Sequence, residues 1–268
     1  MTRSVGYWAR VRVEVVLVLV ATAAGLLACP GPGEKTPPPA PAPQGDRFVT
    51  LRHRMVEEQI RDRGVRNPAV LEAMESVPRE EFLPEEEREL AYQDNPLPIG
   101  MGQTISQPYI VALMTELVDP QPDDVVLDIG TGSGYQAAVL ATIVKKVYSI
   151  EIIPELAKSA QERLRRLGYE NVEVRTGDGW LGWPEKAPFD GIVLAAAPEE
   201  VPQPLVEQLA PGARLALPVG RNSQQDLVVL RKQADGSVTR EKVIGVRFVP
   251  MTGIAEEAAR GGTNGKGR

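Results

Sequence analysis

The chain has 268 residues, 43% of them hydrophobic and 25% charged, a globular composition with room for one large domain plus extensions. A formal charge of −6 argues against a general nucleic-acid binder. One His (His53) and one Cys (Cys29) argue against His-triad hydrolysis and multi-His metal sites, and leave no intrachain disulfide.

Residues 1–28 read as a targeting segment. Arg3, Arg10 and Arg12 form a basic start, and "VVLVLVATAAGLLA" (15–28) is an apolar run too short to span a bilayer comfortably. It ends in "LLAC", which resembles the cleavage box of a bacterial lipoprotein with Cys29 as the residue that becomes diacylated. The competing reading is a free thiol behind a short membrane anchor. Pro30 follows the cysteine, so no Asp signals retention at the inner membrane. The resemblance implies an exported protein, lipid-anchored on the periplasmic face of the envelope and touching membrane only through that lipid; a cytoplasmic location is the alternative. Residues 29–46, carrying "PGPGEKTPPPAPAPQGD", are too proline-rich for a helix or central strand and read as an extended tether.

A domain over 47–252 follows. "FVTLRHRMVEEQIRDRGV" (48–65) has helical spacing up to Gly64, and "NPAVLEAMESV" (67–77) is a second helix with Asn67 as N-cap and Pro68 at the first position. His53 falls in the first helix and reads as a surface or packing residue rather than a catalyst. Next, "PIGMGQTISQPYIVALMTEL" (98–117) sets Gln103, Thr104, Ser106 and Gln107 among glycines and prolines, directly before an apolar helix expected at 107–118. A soluble loop needs no such cluster; a binding site can use one. Ser106 also reads as the N-cap of that helix, which leaves Gln103 and Thr104 unexplained.

From 120 onward strands alternate with helices. Strands are predicted at 124–130, 146–152, 172–177, 189–197 and 214–220, with helices at 135–144, 154–168 and 201–212. Residues 225–251 read as two strands around a turn at Asp235-Gly236, an antiparallel edge. The fold class is therefore α/β: a doubly wound, mostly parallel seven-stranded sheet with an antiparallel C-terminal edge and N-terminal helices. Residues 253–268 are expected to be a disordered tail.

"VVLDIGTGSGYQ" sits where a strand gives way to a helix, so its glycines let backbone approach a ligand while the helix offers N-terminal N–H groups. Glu151 ends the next strand, where a carboxylate can accept both ribose hydroxyls of a nucleoside. The dinucleotide fingerprint needs Gly or Ala at 135, but Tyr135 stands there and the third glycine comes one residue early. With Asp128 ahead of it, the segment instead resembles motif I of class I S-adenosylmethionine (SAM) methyltransferases. That resemblance implies a cofactor site of Asp128, Gly130, Thr131, Gly132, Ser133, Gly134 and Glu151. Asp178 and Gly179 join it from "GDGW" (177–180), where the family places a carboxylate near the adenine amino group. A plain turn is the other reading of Asp178-Gly179.

A narrower resemblance rests on "VPREEFLP" (77–84), "AYQDNPLPIGMGQTISQPYIVALMTEL" (91–117), "LDIGTGSGYQAAVLA" (127–141), "GDGWLGWPEKAPFDGIVLAAAP" (177–198), "LPVG" (217–220) and "VRFVP" (246–250). Over residues 50–252 the chain resembles protein-L-isoaspartate O-methyltransferases. This implies methyl transfer from SAM to the α-carboxyl of L-isoaspartyl residues in damaged proteins and peptides. It also implies Ser106 as the active-site serine, Thr104, Ile105 and Gln107 at the substrate, and no metal. The acidic balance leaves no nucleic-acid partner expected, and the expectation for the assembly is a monomer. Another SAM-dependent carboxyl or small-molecule methyltransferase of the same fold is the runner-up, and an exported, catalytically weak binding module the third reading.

Overall fold

The computed structural model describes residues 44–221 and 224–256. The signal segment, Cys29, the tether before residue 44 and the tail beyond residue 256 lie outside the described residues.

The N-terminal helices form a cap on one side of the sheet. Helix α1 (Gln44–Arg54) begins three residues before the expected boundary and runs on as a π-type turn over Met55–Arg61, which buries Met55, Val56 and Ile60. Helix α2 (Pro68–Ser76) starts as predicted: Asn67 Oδ1 accepts the Ala69 N–H at 3.0 Å, and Pro68 fills the first position. His53 is exposed, 3.3 Å from the Glu75 carboxylate, as its surface reading requires. Two 3₁₀ turns, Arg79–Phe82 and Glu85–Leu90, then lead to a hairpin absent from the sequence reading. Its strands are β1 (Leu97–Gly100) and β2 (Gln103–Ile105). The connection sits on Met101 (φ 52°) and Gly102 (φ 71°), the two positive angles that a type I′ turn demands. Helix α3 (Pro108–Val118) follows, burying Ile110, Val111, Met114 and Val118 against the core.

The main sheet contains β3 (Val125–Ile129), β4 (Lys146–Glu151), β5 (Val172–Thr176), β6 (Phe189–Leu194), β7 (Leu209–Arg221), β8 (Gln224–Lys232) and β9 (Val238–Val246). Their order is β5-β4-β3-β6-β7-β8-β9, parallel from β5 through β7 and antiparallel for the last two pairs. The central strands are near-continuous apolar runs, as a sheet covered on both faces requires. Helices α4 (Tyr135–Ala141) and α5 (Pro154–Arg166) provide part of that cover, with α5 burying Leu156, Ala157, Ala160 and Leu164.

Two expectations change. The helix predicted over 201–212 shrinks to α6 (Gln203–Glu207), because Leu209 pairs in parallel with Phe189 and extends β7 backward. A short apolar run reads equally as strand or helix, and here the sheet edge decides. The domain also continues past 252: Ala255 is buried, and Ile254–Glu256 are helical.

Candidate active site

The chain winds from β3 outward to β5 and then crosses back to β6, so the connections leaving the adjacent C-terminal ends of β3 and β6 run in opposite directions, a topological switch point and the usual place for a ligand crevice in such sheets. A cleft opens there, walled by Ile129, Gly130, Ala195 and Ala196. The glycine loop crosses its floor. Gly130 (φ 88°) and Gly132 (φ 53°) hold angles that L side chains rarely adopt, and a Cβ on Gly132 would come within 3.2 Å of Ile99 Cδ1 from β1. The Gly130 and Thr131 N–H groups both donate to the Ile150 carbonyl, at 2.9 and 3.2 Å. Gly134 opens α4 and packs beneath Leu164 and Ala160 of α5.

Glu151 is 5% exposed and faces the cleft. One carboxylate oxygen accepts the Gly132 N–H at 2.8 Å and the other the Ile153 N–H at 3.0 Å. A carboxylate offers about four lone-pair directions, so this side chain clamps the glycine loop and still presents acceptors to a ligand.

Asp128 lies beneath the loop rather than in the cleft wall. It is fully buried; Oδ2 accepts from Ser149 Oγ at 2.7 Å, and Ser149 Oγ lies 2.6 Å from Thr131 Oγ1. Oδ1 is buried without a hydrogen-bond partner. Burial pushes the carboxyl pKa up to about 7, the Ser149 hydroxyl opposes that rise, and the nearby Glu151 charge adds to it.

Thr104, Ile105 and Ser106 line the cleft from β2 and the loop after it. Ser106 is not a helix cap: the N-cap of α3 is Gln107, and no side chain caps that end. The capping alternative is thereby removed. A second, open groove runs along Arg63, Gln107, Lys242, Arg247 and Phe248. Cleft and groove share Thr104, Ser106, Ala195 and Val249, so the two hydroxyls stand where they meet.

Of the sequence-predicted residues, Gly130, Thr131, Gly132, Ser133, Glu151 and Gly179 join Thr104, Ile105 and Ser106 in the cleft, while Gln107 faces the groove alone. Gly134 and Asp128 support the loop from behind. Asp178 is absent from the cleft wall. Its Oδ1 accepts the Trp180 N–H at 2.9 Å and its Oδ2 the Ile254 N–H at 2.8 Å, tying the C-terminal segment to the end of β5. The adjacent Gly179 has no room for a side chain, since a Cβ there would collide with Ile129.

Sequence reasoning missed Val249–Thr252, which line the cleft. This segment pairs with the continuation of β6, with Ala197 N–H to Val249 O at 2.9 Å and Met251 N–H to Ala197 O at 2.8 Å. The apolar "FVPM" following the last strand was its one available signal.

A family model described as protein-L-isoaspartate(D-aspartate) O-methyltransferase matches residues 51–256. The protein-L-isoaspartate O-methyltransferase 2 of Nitrosococcus oceani is 61% identical over 187 residues, covering 70% of this chain and 85% of that protein. The protein-L-isoaspartate O-methyltransferase of Gloeobacter violaceus is 54% identical over 198 residues, covering 74% and 97%. A solved protein-L-isoaspartate O-methyltransferase superposes with a TM-score of 0.68 at 30% identity, over 75% of this chain and 66% of that one. A Plasmodium falciparum structure, described as a putative protein-L-isoaspartate O-methyltransferase in complex with S-adenosyl-L-homocysteine, superposes at 0.64. Its 24% identity, over 75% of this chain and 98% of that one, supports the fold alone. The chain belongs to the protein-L-isoaspartate(D-aspartate) O-methyltransferase family.

Proposed function

We propose that the protein transfers a methyl group from SAM to the α-carboxyl of L-isoaspartyl residues in damaged proteins and peptides. The observation that carries this reading is the junction at Thr104 and Ser106, where the cleft at the switch point meets an open groove.

The cleft fits the cofactor. Gly130 and Gly132 bring bare backbone to its floor, Glu151 retains lone pairs for ribose hydroxyls, and Ile129, Ile150, Ile152 and Met251 supply apolar surface for an adenine ring. When bound, SAM supplies an electrophilic methyl on a sulfonium. The residues of this chain then have three tasks. Thr104 and Ser106 donate to the substrate carboxylate, the uncapped N-terminus of α3 adds the positive end of its dipole, and the surrounding walls exclude water. A carboxylate is already an ionised nucleophile, so no side chain needs to act as general base. Alignment alone contributes up to about 7–11 kcal/mol in favourable cases. The ester product cyclises unaided to a succinimide, whose hydrolysis partly restores normal aspartate.

The test is calorimetric titration with S-adenosylhomocysteine, followed by methylation of an isoaspartyl peptide beside its aspartyl twin. Binding with transfer to the isoaspartyl peptide alone is the expected result; equal labelling of both peptides would overturn the substrate assignment.

The N-terminus carries a second part of the reading. Residues 1–28 act as a lipoprotein signal, Cys29 is the lipidated residue, and the proline-rich residues 30–43 are the tether between it and the domain. Changing Cys29→Ser should move the protein from the membrane fraction to the soluble one. A mature N-terminus other than Cys29 in the unaltered protein would contradict this assignment.

A further inference from the structure

Arg79 is completely buried in the 3₁₀ turn after α2, and its guanidinium has an unusual set of partners. Nε donates to the Ala91 carbonyl at 2.7 Å, and Nη2 donates to the Ser106 carbonyl at 2.8 Å. Nη1 is buried with no hydrogen-bond partner. The guanidinium carbon stands 4.9 Å from the centroid of the Tyr135 ring, and Tyr135 itself lines the cleft. Among the described residues, no carboxylate is in ion-pair contact with Arg79. Asp94, whose charge it feels, is taken by Arg63 at 2.6 Å. Burial pushes the Arg79 pKa down from its ordinary value, yet a guanidinium stays protonated in proteins.

A buried cation without a counterion is costly, and a structural tie between two carbonyls needs donors rather than charge. The charge therefore calls for a separate explanation. We infer that Arg79 is a positioning residue for the substrate carboxylate: it holds the Ser106 carbonyl and keeps a positive charge that no contacting carboxylate neutralises behind the loop that receives the anion. This rests on the reading of Thr104 and Ser106 as the carboxylate site. Two physical effects follow. A cation on the Ser106 carbonyl polarises the Ser106–Gln107 peptide, making the Gln107 N–H at the head of α3 a stronger donor. The charge itself, in a site of low dielectric, favours an anionic ligand over a neutral one of the same shape.

The experiment compares two ligands on the S-adenosylhomocysteine-bound protein: an isoaspartyl peptide, and the same peptide with its α-carboxylate replaced by an uncharged carboxamide. The unaltered protein should prefer the carboxylate by at least tenfold. Arg79→Met should lower that ratio at least threefold, weakening the charged peptide and leaving the carboxamide unchanged, while Thr104, Ser106 and the α3 N-terminus keep the remainder. Arg79→Lys, which keeps charge but cannot span both carbonyls, should retain part of the preference. S-adenosylhomocysteine affinity should stay within threefold in both. The proposal is overturned if the unaltered protein shows no preference, or if Arg79→Met keeps it. It also fails if both peptides weaken equally or if both variants fail to fold, since the arginine would then be purely structural. Ser106→Ala separates the two readings. Unchanged binding and turnover there would sink the carboxylate-site assignment, whereas an impaired Ser106→Ala beside an unimpaired Arg79→Met sinks the arginine alone.

Discussion

Two loops face each other across the cleft, and they are held in different ways. The glycine loop is secured where it stands: its N–H groups reach the Ile150 carbonyl and the Glu151 carboxylate, both from the neighbouring strand β4. The loop after β2 has no such neighbour. It is fixed by a three-residue strand in a small separate hairpin and by the Arg79 guanidinium, 27 residues upstream on a different element. Each loop also hands a serine carbonyl to an arginine with no carboxylate in ion-pair contact among the described residues: Ser133 to Arg163 at 2.8 Å, and Ser106 to Arg79 at 2.8 Å. The difference is redundancy. The cofactor side has several independent ties, and the substrate side few.

The largest effect should come from Glu151, where structural and binding roles coincide. Glu151→Ala removes acceptors from two backbone N–H groups and from the ribose. Charge-assisted bonds of about 1.5–3 kcal/mol each imply at least a hundredfold loss of S-adenosylhomocysteine affinity. Glu151→Gln should fare little better, because both oxygens receive N–H donors and an amide offers only one oxygen. Calorimetric affinities close to the parent in either variant would show that the loop is held without this clamp.

Ser106 comes next. It caps nothing, so Ser106→Ala should shift the melting temperature only slightly, and Ser106→Gly slightly more because glycine loosens the unfolded chain. Loss of one donor to a carboxylate, about 1.5–3 kcal/mol, predicts a ten- to hundredfold fall in kcat/KM for the isoaspartyl peptide. Cofactor affinity should be retained. Full activity in both variants would move the anion site elsewhere in the groove.

Asp128 tests the loop's foundation through pH. Burial lifts its folded pKa to about 7, above the ordinary carboxyl value of about 3.9, so its protonated form favours the native state. That stabilisation is complete below about pH 4 and lost as pH rises through 7. Asp128→Asn cannot ionise and should lack this slope. Between pH 5 and 8 the unfolding free energy should move in the variant's favour by about 1–3 kcal/mol relative to the parent. Parallel stability curves from denaturant titrations across that range would refute the buried ionisation.

The same contrast explains what could be read from the sequence. The glycine loop and Glu151 were legible because strand, turn and helix signals are local and the acidic residue ends the very next strand. The parallel sheet and its antiparallel edge followed from the same alternation. The hairpin was not legible: Gln103–Ile105 is too short for a periodicity, and its turn places Met101, a residue with a side chain, at φ 52°. Arg79 gave no local sign of its partner, and neither did Asp178. The family resemblance placed Asp178 beside a ligand, with a plain turn as the other reading; in the fold its oxygens hold Trp180 and Ile254 N–H groups, the second 76 positions away. Tertiary contacts between distant segments leave no mark at the spacing of a helix or strand, so only the polar cluster among glycines and prolines, and then the family resemblance, pointed to the Ser106 loop.

The smallest effect, and the sharpest test of redundancy, belongs to Arg163. This half-buried guanidinium donates to the Ser133 carbonyl at 2.8 Å and reaches Ser159 Oγ at 3.4 Å. Its geometry toward the glycine loop mirrors that of Arg79 toward the other loop. The surroundings differ: Gly130, Thr131 and Gly132 keep their own backbone bonds whether or not Ser133 is held. Arg163→Met therefore removes one hydrogen bond from a loop that remains pinned at three neighbouring residues. A net loss of about 0.5–1 kcal/mol corresponds to a two- to fivefold weaker affinity for S-adenosylhomocysteine. Peptide discrimination should be unaffected, since Arg163 does not touch the substrate loop. A hundredfold loss of cofactor affinity in Arg163→Met would place the two arginines on an equal footing and end the distinction between a redundant loop and a singly held one.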